Sequence, residues 1–195
     1  MKAYKEYWAT AMIRGLLAIV AGTGVLFFPE MVSTILLRPF ALAISVLCLA
    51  AYGVIDSAMV FTTSFMIPLE RPGRLALRVQ GLFGTVVGVL LFDLVYDRVN
   101  LQWFLYFAAA QAAGVAIAEF IVARGTSAHH GAKWCYVSAV VAAISAVALL
   151  LGRNLSPREL AWLIYSYLGV FGFNLFALAA RMLFAERSLL HASHA

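Results

Sequence analysis

Residues 134–152 read Trp134-Cys-Tyr-Val-Ser-Ala-Val-Val-Ala-Ala-Ile-Ser-Ala-Val-Ala-Leu-Leu-Leu-Gly152, nineteen residues without a charge. At a rise of about 1.5 Å per residue, a helix of this length covers about 30 Å, the thickness of the hydrocarbon core of a bilayer. It has no charged residue to offer water. Lipid is the solvent that suits it. Working outward, five further stretches have the same character, at about 9–29, 36–62, 78–96, 100–123 and 160–183. With 64% of its 195 residues hydrophobic and 12% charged, the chain lies far from a soluble domain, for which about 45–50% and about 25% are usual. The polar stretches between runs are too short to build a soluble core, which needs about 40 residues or more. The reading is an all-α membrane protein: one integral membrane domain over 1–195, crossing the bilayer six times.

The remaining polar residues fit this reading. The segments Pro68 to Arg78, with Pro72-Gly73, and Arg124 to Lys133, with two glycines and paired histidines, read as loops. Lys2 and Lys5 ahead of an apolar run resemble a signal peptide. That run ends in Phe28-Pro29-Glu30 without a small-x-small cleavage site, so it is expected to stay as the first helix. Ten Lys and Arg (Lys2, Lys5, Arg14, Arg71, Arg74, Arg78, Arg124, Lys133, Arg181, Arg187) fall on the side of the two termini, against Arg38, Arg98, Arg153 and Arg158 on the other. The positive-inside rule then predicts that the N-terminus and C-terminus are cytoplasmic. Trp8, Trp103, Trp134 and Trp162 gather near span ends, as interfacial aromatics do. The net charge of +5 is spread over these ends rather than gathered in one patch, which argues against a nucleic-acid partner. Cys48 and Cys135 lie in or beside apolar runs and read as small packing residues.

The spans repeat. Gly15 and Gly22 are seven residues apart in the first, Gly81 and Gly88 in the third, and Ser138 and Ser145 in the fifth; Gly84 makes a GxxxG with Gly88. Small residues two turns apart share a helix face, and in lipid such faces let neighbouring backbones approach. In the second, fourth and sixth spans, Asp56, Glu119 and Asn174 each follow a nearby glycine, Gly53, Gly114 or Gly172. Offsets between units are 66 and 57 residues for the first marker and 63 and 55 for the second. Three tandem helix hairpins are expected, at about 9–65, 75–123 and 133–183.

The segment Arg14-Gly15-Leu-Leu-Ala-Ile-Val-Ala-Gly22 leading to Phe28-Pro29, its echo Gly81-Leu-Phe-Gly-Thr-Val-Val-Gly88, and the ending Gly53-Val-Ile-Asp56 resemble the HdeD family of small bacterial inner-membrane proteins. The resemblance covers nearly the whole chain in length, helix number and repeat order. It implies an inner-membrane location and a role in acid resistance, and it carries no catalytic residues. The proline after the first helix has no counterpart in the second and third units, and Asn174 stands where an acid is expected.

An ionisable group inside the bilayer is costly, about 2.5–3.5 kcal/mol at the centre of a helix on insertion scales. Such groups therefore call for a reason. Arg14, Arg78 and Lys133 begin spans on the side where Asp56 and Glu119 end theirs, so opposite charges are expected at comparable depth, with Asn174 as the neutral third member. Two roles fit: ion pairs that lock the hairpins together, or carboxylates that take up protons as pH falls. Gln111, Thr23, Thr85 and Ser145 could line a path for a solute or could bond within their own helices. His129, His130, His191 and His194 lie outside the spans, so a bilayer-buried haem is not expected. HExxH, GxSxG, Walker A and GxGxxG motifs are absent from the sequence. The expectation is a protein without an enzymatic site, cofactor or metal. It could act as a stress protein, as an accessory subunit of a larger membrane complex, or as a small transporter or channel. Its partners would be the lipid bilayer and either further copies of itself or that complex.

Overall fold

The computed structural model describes residues 2–31, 38–66, 69–96, 101–125 and 132–192, with side chains over 8–27, 43–66, 69–93, 102–125, 132–152, 154–156 and 158–183. Six α-helices account for nearly all of it: α1 (Lys2–Met31), α2 (Arg38–Met66), α3 (Arg71–Tyr96), α4 (Leu101–Gly125), α5 (Ala132–Leu151) and α6 (Pro157–Ala192), with a 3-10 turn at Gly152–Asn154. Each contains a stretch long and apolar enough to cross a membrane: Trp8–Phe27, Ala43–Met66, Arg71–Asp93, Gln102–Gly125, Ala132–Leu151 and Arg158–Leu183. The chain is an all-α, multi-pass membrane protein.

Two boundaries have local causes. Residues 71–78, expected as loop, are helical, and Arg74 already donates its backbone N–H to Glu70 O at 3.1 Å. Proline breaks a helix interior but is tolerated in the first turn, where its missing N–H would have had no partner. Pro72 is the second residue of α3, so it marks a start rather than a gap. Helix α6 begins with a capping box. The Ser156 backbone N–H donates to Glu159 Oε2 at 2.7 Å, and the Glu159 N–H returns a bond to Ser156 Oγ at 3.3 Å. His129, His130 and His194 lie outside the described residues, and His191 belongs to the last turn of α6.

Connections of four to six residues extend at most about 3.3–3.6 Å per residue. They cannot carry the chain back along a helix of 30 Å or so, so successive helices run antiparallel. Each helix packs on its neighbours in the chain, and α6 packs on α1, which closes the six into a ring. The most intimate seams are α1 with α6, α2 with α3, and α4 with α5; the seams within the expected hairpins are looser. Small residues explain the first two. A Cβ on Gly15 would stand 2.8 Å from the carbonyl oxygen of Gly172, and one on Gly172 would stand 2.6 Å from that of Gly15, so the two backbones touch. At Gly81 the same atom would meet the Ser57 carbonyl at 2.9 Å. Gly22 lies against Leu168 and Tyr165 of α6, Gly88 against Val54 of α2, and Gly84 against Ser57. In α5, Ser138 and Ser145 are both buried.

The outside of the ring carries exposed Leu16, Val20, Leu82, Val86, Val89, Ile117, Ile144, Val147 and Phe173 among other large apolar side chains. In water this surface would drive aggregation; in hydrocarbon it costs nothing. The polar residues Arg14, Asp56, Gln80, Glu119 and Asn174 are buried instead.

Candidate functional site

The buried polar residues collect towards the end of the ring where α1 begins and α6 finishes. Arg14 lies six residues beyond Trp8 on α1, Asp56 ten before Met66 on α2, and Glu119 six before Gly125 on α4. Arg14 is 3% exposed, and Asp56 and Glu119 4% each. Arg14 grips Asp56 with two bonds, from Nε to Oδ1 at 2.7 Å and from a terminal guanidinium nitrogen to Oδ2 at 3.2 Å. This paired geometry is the one in which guanidinium and carboxylate satisfy each other best. It joins the first helix to the second at one of the looser seams.

Glu119 takes a different partner. The Cys135 thiol of α5 donates to its carboxylate, and the charges of Arg14 and Asp56 act on it from across the ring. Tyr52 of α2 and Tyr167 of α6 are within the same electrostatic reach of Arg14 and Asp56. The cluster thus draws on α1, α2, α4, α5 and α6. On α3, Arg78 lies over the Phe65 ring instead, 4.3 Å from its centroid. Charge counting is simple: one guanidinium faces two carboxylates, which leaves one negative charge that a single proton would cancel.

The remaining candidates are placed apart. Lys133 is exposed on α5. Asn174 donates from Nδ2 to the Trp134 carbonyl at 2.9 Å, bridging α6 to α5, while its Oδ1 is buried without a hydrogen-bond partner. Thr23, Thr85 and Ser145 bond back to the carbonyls of Ile19, Gly81 and Val141, each one turn earlier. They stitch their own helices. Among the described residues, no group of three or more His, Cys, Asp and Glu side chains could hold a metal ion.

Gln111, from the same polar set, faces a cavity. About 80 Å3 of space lies at the centre of the ring, bordered by residues that include Tyr52, Asp56, Gly84, Gly88, Gln111, Tyr167 and Phe171, room for a few water molecules. Leu91, Phe104, Leu149 and Ile164 carry it towards the opposite end of the ring, where α3 gives way to α4 and α5 to α6. Asp56 is therefore shared, with one side on the cavity and the other on Arg14.

Sequence reasoning passed over Tyr52, Tyr167 and the partnership of Cys135 with Glu119. A signal for the tyrosines was present. Tyr52 is one turn before Asp56, and Tyr167 two turns before Asn174, just as Gln111 is about two turns before Glu119. Such spacing puts each pair on one helix face. Cys135 carried no comparable signal, because its neighbour lies on another helix. Comparison with known protein families, with characterised proteins and with solved structures finds no match to this chain.

Proposed function

We propose that this chain is a non-enzymatic, pH-responsive protein of the bacterial inner membrane, with both termini in the cytoplasm and a part in acid stress like that of the HdeD proteins it resembles. One observation carries the reading: Arg14, Asp56 and Glu119 are buried together with one more acid than base. A lone structural ion pair needs no second acid. An unmatched carboxylate in a low-dielectric ring gives protons a place to bind and gives the helices something to respond to, because adding a proton changes the field on Arg14, Asp56, Tyr52 and Tyr167 together. The bias of Lys and Arg towards the side of the termini supports the orientation.

Infrared spectroscopy of the protein in lipid nanodiscs tests this. Acidification should bring up the carbonyl stretch of a protonated carboxylic acid, and Glu119→Gln should remove that band together with the pH dependence of thermal stability. A wild-type protein whose spectrum and stability are flat across the acid range, or a Glu119→Gln variant that titrates like the wild type, overturns the reading. In cells, Asp56→Asn with Glu119→Gln should alter survival in acid.

A further inference from the structure

The central cavity has a chemical asymmetry that a packing defect would not have. Most of its wall is hydrocarbon, from Leu49, Val87, Leu91, Phe104, Leu149 and Phe171. Its polar groups are few, and one is unsatisfied: the side-chain oxygen of Gln111 is buried with no hydrogen-bond partner. Removing such a group from water without a donor destabilises the fold by as much as a lost hydrogen bond, so it calls for a partner. Asp56 cannot serve, because its carboxylate accepts from Arg14 at both oxygens and has no hydrogen to donate. On the α3 side the wall is formed by Gly84, Val87, Gly88 and Leu91. A side chain at Gly84 would collide with Ser57 and stand 2.6 Å from the Gln111 amide nitrogen.

An acceptor set in an apolar chamber selects for a complementary shape, an apolar body with one donor. We propose that the cavity is a binding site for a small apolar molecule carrying a single O–H or N–H group, which donates to Gln111 Oε1 while its carbon chain packs among Leu91, Phe104, Leu149 and Phe171. The space, about 80 Å3, is roughly half of the 150 Å3 or so that holds a benzene ring. The part of the ligand that enters is therefore short and aliphatic, with room for more towards the open end. This inference is independent of any titration of Glu119.

Two isomers make the test clean: 1-butanol, which has the donor, and methyl propyl ether, which has the same atoms and lacks it. Binding to the purified full-length protein in detergent micelles is followed by saturation-transfer NMR, with empty micelles subtracted. Butanol should bind about three- to ten-fold more tightly than the ether, as one net hydrogen bond allows. Gln111→Leu should bring butanol down to the ether's affinity and leave the ether unchanged. Ala108→Leu, on the cavity wall, should weaken both; if that variant does not fold, Gln111→Leu decides alone. Equal binding of the two isomers to the wild type, butanol binding indifferent to Gln111→Leu, or a signal no larger than that of empty micelles each overturns the proposal.

Discussion

Asp56 and Glu119 occupy corresponding places late in α2 and α4, 63 residues apart, and both are 4% exposed, yet their surroundings differ in kind. Asp56 is matched by a cation in contact, Arg14, at 2.7 and 3.2 Å. Glu119 has a neutral thiol in contact and the cation only at a distance. The third place, Asn174, holds no charge and bonds a backbone carbonyl. Equivalent burial therefore does not imply equivalent chemistry: one acid is ion-paired, one has no cation in contact, and the third place holds no acid. The difference lies in which neighbouring helix happens to bring a guanidinium.

The largest effect should come from removing that guanidinium. Arg14→Met leaves two buried carboxylates without a cation and should cost about 3–5 kcal/mol, measured by unfolding in mixed micelles. Adding Asp56→Leu to it should restore much of the loss, because a buried ion pair replaced whole is often neutral. A double variant as unstable as the single would show that Arg14 serves something other than Asp56.

A middle-sized effect sharpens the comparison by moving the backbone beside Asp56. A Cβ on Gly81 would stand 2.7 Å from that of Phe61 and 2.9 Å from the Ser57 carbonyl, so Gly81→Val should push α3 off α2 and cost about 1–3 kcal/mol. Gly169 has nothing within 4 Å of the corresponding point, and Gly169→Ala should gain up to about 1 kcal/mol from helix propensity. Equal effects at the two glycines would mean that the seam is not close-packed.

Asn174→Leu should have the smallest effect, about 0.6 kcal/mol, a typical value for a hydrogen bond between helices in a bilayer protein. It is read in the same unfolding assay. A loss approaching that of Arg14→Met would abolish the gradation among the three positions.

Much of the architecture was legible in the chain. Six apolar runs of bilayer length announce six helices because length and hydropathy are local quantities, and the Gly15, Gly81 and Gly88 faces announce close seams because helical spacing is local as well. The start of α3 was misread at Pro72 because the same residue that ends a helix can begin one, and only the position of the first hydrogen bonds tells the two apart. The pairing of Arg14 with Asp56 was legible as a matter of depth. The relation of Glu119 to Cys135 was not, since no local pattern marks a thiol as the partner of an acid on the preceding helix.

Lipid requires each helix to satisfy its own backbone, so composition and run length alone determined how many helices there are and how they alternate. Ring closure is another matter. Once α6 meets α1 through Gly172 and Gly15, side chains far apart in sequence are turned towards a common centre. Packing between helices therefore decided that Asp56 would meet a guanidinium, that Glu119 would meet a thiol instead, and that Gln111 would face a cavity with an acceptor to spare.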